Sequence, residues 1–397
     1  MNINTGKGFI TLKALLAIWS VSALTSLPGL AVSPILDKLT KIFPAASEFE
    51  LQMLTSLPSL LIIPFVLLSG RWAEKLGFMR MLALGLWIFL LSGILYLLCN
   101  TMWQLIVVSA LLGVGAGIII PLSTALVSRY FVGDYRTRQF GYSSAITNAT
   151  LVVATALTGY LAELFWRLPF TVYLLPIVSI LLIPFLSHSE SSAGDDKPTV
   201  EHGTYKGNKR TLTLCSLYYL FITYLIVAIN VNLSFLMGER GFDSSTVGIV
   251  TSLFFLAIML PGFLLSPILQ AMKGGVASIC VLLIGCGLLM VYVYDSILAI
   301  TLGCLVAGFG YGVAQPYIYD RVSASTLRNA AFALAIVMSM NYIAIVIAPV
   351  IVDFLQDFLH IKSQRFAFGL NAGLAFVAFI AIVSYNLVYR NNLNRRI

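Results

Sequence analysis

Long apolar runs alternate with short polar breaks along the whole chain. Twelve runs are long enough for a membrane helix, which needs about 20 mostly apolar residues. They cover 14–36, 50–70, 78–98, 103–128, 141–163, 168–187, 212–237, 245–269, 275–294, 297–319, 331–356 and 366–388. None shows the strict apolar–polar alternation of a barrel strand, so the pattern predicts an all-α membrane protein. One break is longer than the rest. Residues 188–210, rich in Ser, Asp, Glu, Lys, His and Gly, read as a flexible linker. The predicted organisation is an N-terminal six-helix bundle over 1–187, a linker over 188–210 and a C-terminal six-helix bundle over 211–397.

The two sets of runs repeat each other. Gly113, Gly115 and Gly117 are followed by Pro121, and Gly308, Gly310 and Gly312 by Pro316, an offset of 195 residues (308 less 113). Thr55-Ser56-Leu57 and Leu60 are echoed by Thr251-Ser252-Leu253 and Leu256, 196 residues on (251 less 55). Such periodicity is the mark of an internal repeat. A Gly-x-Gly-x-Gly run cradles phosphate when it follows a strand and opens a helix. Here apolar, helix-length sequence flanks both copies, so the expected role is close helix packing.

Composition agrees. Hydrophobic residues make up 59% of the chain, charged residues 10%, and the mean hydropathy is +0.94; a soluble domain carries about 25% charged residues. The net charge of +8 follows from topology. With both termini in the cytoplasm, only Lys38, Lys41, Arg167, Arg240, Lys362 and Arg365 fall outside, which leaves 18 of the 24 basic residues inside. The positive charge therefore carries no argument for nucleic acid, and none is expected as a partner. The N-terminal run after Lys13 is too long for the apolar core of a cleaved signal. The expected location is a cell membrane, crossed many times.

The chain shows no enzyme constellation. Five scattered cysteines (Cys99, Cys215, Cys280, Cys286 and Cys304) have neither metal-ligand nor redox spacing. His188, His202 and His360 all lie in expected loops, so no metal site is expected, nor a histidine proton relay within a span. No Walker sequence or nucleophile–base pair appears, and no catalytic residue is assigned.

Between the second and third runs, Gly70-Arg71-Trp72-Ala73-Glu74-Lys75-Leu76-Gly77-Phe78-Met79-Arg80 resembles the signature loop of the major facilitator superfamily, G-x-L-A-D-R-x-G-R-K. Gly70, Ala73, Lys75 and Gly77 match in place. Glu74 stands for the usual Asp, Trp72 for Leu, and Arg80 supplies a late positive charge. Together with twelve spans, the half-chain repeat and the central linker, the resemblance covers nearly the whole chain. It implies two pseudo-symmetric six-helix bundles that rock around a central site. It also implies that Glu74 latches the cytoplasmic side, with Arg136, Arg138 or the start of the eleventh run near Arg328 as partners. A solvated loop whose charges serve only orientation is the alternative.

Within that superfamily the short chain looks most like drug and metabolite exporters. Ser109 stands where those often have an Arg, and Ala154-Thr155 where they often have Gly-Pro. The implied function is a secondary active transporter exporting a small amphiphilic or neutral organic compound. No cofactor is expected beyond a proton gradient, and a monomer is the expected working unit. An importer or uniporter of a small metabolite is an alternative; so, from another class, is a non-transporting membrane receptor or scaffold. Candidate cavity residues are Trp19, Asn148, Tyr224, Tyr311, Gln315, Asn341 and Tyr342. Asn148 and Asn341 occupy equivalent places 193 residues apart (341 less 148); helix-to-helix hydrogen bonding is the other reading of both. Buried carboxylates are the usual proton carriers, and the candidates here, Asp37, Glu163 and Asp320, all lie near span ends.

Overall fold

The computed structural model describes residues 2–28, 39, 42–44, 46, 48–186, 208–242, 244–272, 275–326, 330–361 and 363–394. Asp37, Arg328 and linker residues 188–207 lie outside that set, as do the side chains of Glu74 and Glu163. Eleven helices among the described residues are long and apolar enough to cross a membrane, and a twelfth apolar helix, α1 (Leu12–Leu24), is shorter. The helices that follow α1 are α2 (Glu48–Leu76), α3 (Phe78–Leu98), α4 (Met102–Tyr130), α5 (Gly133–Leu164), α6 (Pro176–Leu182, within the span Leu168–Leu186), α7 (Lys209–Glu239), α8 (Ser244–Phe263), the short α9 (Leu265–Ala271), which is not one of the eleven, α10 (Val276–Val293), α11 (Ile297–Ser325), α12 (Ala330–Leu359) and α13 (Arg365–Asn394).

Several helices run well past the apolar stretches that announced them. Hydropathy marks only the part that suits hydrocarbon, whereas the backbone ladder continues into polar surroundings wherever its bonds are satisfied. Two expected loops shrink as a result. α2 continues to Leu76, so only Gly77, at φ 92°, separates it from α3. α5 begins at Gly133, which puts Arg136, Thr137 and Arg138 in its first turns. Gly70, which the signature pattern places in the loop between the second and third runs, lies instead within a helix, where a Cβ would meet Ala335 Cβ at 2.9 Å and Phe332 Cα at 3.1 Å. Two spans are less regular than expected. The eighth breaks at Leu264, three residues after Pro261, into α8 and α9. The sixth opens with a 3-10 segment, Leu168–Leu174, before α6.

The chain forms two compact units, Met1–Ser216 with Tyr319–Tyr342, and Leu217–Ile318 with Ile343–Ile397. In the first, α4 is the central element. It is buried along nearly its whole length and packs against α1, α2, α3 and α5. Its start is fixed by a capping box, in which Thr101 Oγ1 accepts from the Gln104 amide while Gln104 Oε1 accepts from the Thr101 amide. In the second unit, α10 packs along α13. Arg240, just past α7, donates to the carbonyls of Tyr294 and Val291 at 2.9 and 3.2 Å. Its Nε lies 3.0 Å from Asp295, which also pairs with Arg365 at the start of α13. The hydrogen bond from Arg365, together with the Arg240 charge, holds the Asp295 carboxyl below the ordinary range.

An element not anticipated from the sequence precedes α1. Strands β1 (Asn2–Asn4) and β2 (Phe9–Thr11) form an antiparallel hairpin with Ile3 opposite Ile10. Thr11 then caps α1, its Oγ1 accepting from the Ala14 amide at 3.2 Å.

Candidate functional site

The repeated glycines set the frame. A Cβ at Gly113 would lie 2.6 Å from the Pro58 carbonyl oxygen, and one at Gly117 would lie 3.0 Å from that of Ile62, so α4 meets α2 backbone to backbone. Gly115, on another face, sits against Phe89 of α3, where a Cβ would lie 2.8 Å from the amide nitrogen. The second copy repeats these contacts. Gly308 and Gly312 lie on the carbonyls of Phe254 and Ile258 in α8, and Gly310 on that of Cys280 in α10. Small residues permit this approach, and any side chain would separate the helices. Pro121 and Pro316 follow in each copy without ending α4 or α11.

Three polar clusters among the described residues contain candidates named from the sequence. One is a seam between α1 and α5 in the first unit. Trp19 Nε1 donates to Gln139 Oε1 at 3.0 Å, and its ring stands edge-on to Tyr142 at 6.2 Å between centroids. Further along, Ser22 Oγ lies 3.3 Å from both Ser143 Oγ and Ser123 Oγ. Thr147 donates to the Ser22 carbonyl at 3.0 Å, and Ser26 to the Thr147 carbonyl at 3.1 Å. Asn148, buried, turns its amide back to the Ser144 carbonyl of its own helix at 2.9 Å. The Ser144 hydroxyl is buried with no hydrogen-bond partner among the described residues.

The second unit has a different chemistry. Tyr219 and Thr223 of α7 face Tyr311 and Gln315 of α11. Gln315 Nε2 donates to the Tyr219 hydroxyl at 2.9 Å, and Thr223 Oγ1 lies 3.4 Å from the Tyr311 hydroxyl. Tyr219, Thr223, Tyr311 and nearby Tyr224 are all buried. A cavity of about 550 Å³ between the ends of α10 and α13, lined by Tyr292, Arg365, Phe366 and Leu370 among others, shares no residue with this network.

The third cluster lies in the first unit and joins the two sequence halves. Arg136 Nε donates to Asp320 Oδ1 at 2.8 Å, and Thr137 Oγ1 donates to Asp320 Oδ2 at 2.9 Å. Both charged side chains are largely buried, at 14% and 17% exposed. The Phe140 ring packs 6.1 Å from that of Tyr319 beside them.

Residues 14–228 and 212–394 match the Major Facilitator Superfamily. The chain belongs to that superfamily. The structure of the human organic anion transporter MFSD10 (TETRAN) superposes with a TM-score of 0.74 at 16% identity, covering 93% of this chain and 98% of that one. The proton:xylose symporter XylE gives 0.75 at 14% identity, covering 94% and 95%. At that identity both matches speak for the superfamily fold alone. Among curated relatives, the quinolone resistance protein NorA of Staphylococcus aureus is 27% identical over 179 residues, 45% of this chain and 44% of NorA. Multidrug resistance protein 1 of Bacillus subtilis is 28% identical over 163 residues, 41% of each chain. These matches span less than half the length of either relative.

The superfamily's signature segment takes a definite form in this chain. Lys75, Gly77, Arg80 and Arg138 are exposed, whereas Gly70 is packed. Arg71, which the sequence did not single out, stacks its guanidinium 5.5 Å from the Phe332 ring. Among the cavity candidates, the structure brings Tyr311 and Gln315 into one network and sets Trp19 and Asn148 along one seam. Asn341 and Tyr342 are half-buried on α12. Gln139, Tyr219 and Thr223 went unassigned, although the signal was present. Tyr219–Thr223 and Tyr311–Gln315 are each four apart, as are Gln139, Ser143 and Thr147, so each set lies on one helix face.

Proposed function

We propose that this chain is a secondary active transporter that works by alternating access. The single observation that carries the reading is the Arg136–Thr137–Asp320 cluster. It joins α5 of the first repeat to α11 of the second through a largely buried ion pair, in a chain whose halves are packed on the same glycine pattern. A largely buried charge pair that loses one partner leaves the other uncompensated, so such a contact favours two discrete states, made or broken. In this reading the hairpin side, cytoplasmic by the charge pattern along with both termini, is closed while the pair is made. Glu74 belongs to the same closure. Asp320 is also the proton-linked carboxylate to test first, ahead of Asp37 and Glu163, because protonation removes the charge that holds Arg136.

The transported compound is a small neutral or weakly polar amphiphile, and the direction is export. Both seams offer hydroxyl, amide and aromatic groups without a charge. The unpartnered Ser144 hydroxyl, beside Asn148, is a group that a ligand's polar atom would satisfy, since a buried hydroxyl without a partner is costly. The likeness to NorA and multidrug resistance protein 1 supports export, and a single chain is the working unit. Reconstituted vesicles loaded with an amphiphilic dye provide the test. A pH gradient should drive dye movement in the wild type, and Asp320→Asn should uncouple movement from the gradient. Movement along the dye's own gradient that ignores pH points to a uniporter, and gradient-driven movement in the inward sense to an importer. No movement at all would favour a receptor.

A further inference from the structure

We propose that the N-terminal β-hairpin is a positioning device for the Arg136–Asp320 ion pair, holding the α4–α5 junction in the geometry that the closed state needs. An isolated two-stranded hairpin is marginal at best in water, so its order must come from what it docks on. The tip, residues 5–8, closes on itself: the Thr5 amide donates to the Gly8 carbonyl at 2.9 Å, and Gly6 adopts φ 85°. It is fastened to the α4–α5 junction at two points. The Val132 amide donates to the Thr5 carbonyl at 3.0 Å. Lys7 Nζ donates to the Arg129 carbonyl in the last turn of α4, where a cation suits both the unpaired carbonyls and the helix dipole. Gly6 fits closely there, since a Cβ would meet Val132 Cγ2 at 2.8 Å and Tyr135 Cδ2 at 3.2 Å. Thr5 and Ile10 are both buried.

The junction leads straight to the ion pair. Only Phe131 and Val132 separate α4 from α5, and the Arg136 amide donates to the Val132 carbonyl at 3.4 Å. Val132 is therefore held on one side by the hairpin and sets the first turn of α5 on the other. Arg136 and Thr137, which grip Asp320, lie in that turn and at the start of the next. The contacts run Thr5, Val132, Arg136, Asp320. The hairpin is also continuous with α1 through the Thr11 cap, so displacing α1 pulls on the junction. The inference rests on the ion pair being the closure contact proposed above.

The test reads the closed population directly. Spin labels at Arg138→Cys and Ala324→Cys, both exposed positions, are placed in the full chain with Cys215 and Cys286, the two cysteines not fully buried, replaced by alanine. Pulsed dipolar spectroscopy in lipid nanodiscs then gives the share of short distances. Gly6→Val puts a β-branched side chain at positive φ into Val132, and should lower that share relative to long distances by roughly fivefold, the low end of ordinary coupling between sites. Lys7→Met leaves the turn intact and should act in the same direction, more weakly; it carries the test if Gly6→Val folds poorly. Asp320→Asn should lower the share at least as far, and adding a hairpin variant to it should lower it no further. A share that Asp320→Asn lowers but neither hairpin variant moves overturns the positioning role and leaves the ion pair standing. A share that Asp320→Asn leaves unchanged overturns the ion pair as closure, and with it a hairpin acting through that pair.

Discussion

The two repeats agree where they are steric and differ where they are polar. Gly113, Gly115 and Gly117 find their counterparts in Gly308, Gly310 and Gly312, and the partners correspond as well: Pro58 and Ile62 on α2, Phe254 and Ile258 on α8. The polar seams share no such likeness. One sets Trp19 and a run of small hydroxyls between α1 and α5; the other sets tyrosines and an amide between α7 and α11. Close helix approach tolerates few residue types, because a Cβ of any kind collides with backbone. A polar lining tolerates many, provided each group is satisfied. The steric frame is thus the same in both repeats, while the polar seams differ.

Substitution at the glycines should have the largest effect. Gly113→Val and Gly308→Val should each cost about 1–3 kcal/mol or more by overpacking, read as a lowered melting temperature in detergent. If only one of them is damaging, the two frames are not equivalent. Next in size come the seams. Tyr219→Phe removes the hydroxyl that bonds Gln315 and Tyr311, and Trp19→Phe removes the indole N–H together with part of the ring packed on Tyr142. Each should therefore lower stability by about 0.6 kcal/mol for every membrane hydrogen bond lost, with a further packing loss for Trp19. They should change ligand preference differently, measured as binding of a panel of neutral amphiphiles. Identical shifts in preference for both would contradict specialised linings.

The smallest effect belongs to the Arg240–Asp295–Arg365 triad, for which the first unit shows no counterpart among its described residues. Asp295 titrates lower in the folded protein than in the unfolded chain. Its contribution is therefore present at neutral pH and lost as pH falls below about 4, the ordinary value for Asp. Asp295→Asn should lower the melting temperature slightly at pH 7, and by progressively less as the pH falls below about 4. An effect that does not shrink as the pH falls would mean that the carboxylate charge plays no part.

The spans were legible in the sequence because hydrocarbon selects for a simple property, a run of apolar residues. The glycine pattern was legible because backbone approach demands one residue type. Helix ends were not. Nothing in hydropathy announces that α5 starts at Gly133 or that α2 absorbs Gly70, since polar helical turns look like loops. The hairpin was missed for a similar reason: its strands are three residues each, too short for a period to register, and its support comes from Arg129 and Val132. Asp320 was singled out as a lone acid near a span end. Its partner, Arg136, lies 184 residues away (320 less 136), and no local pattern joins two residues at that separation.

In the proposed mechanism the Arg136–Asp320 pair is the contact that is made and broken during transport. Charge reversal tests it most directly, by measuring gradient-driven dye transport in vesicles for Arg136→Asp, Asp320→Arg and the double variant. Each single variant places two like charges together and should abolish most transport; the double variant restores an attractive pair and should recover a substantial part of it. Single variants that transport like the wild type, or a double variant no better than the worse single one, would contradict the account.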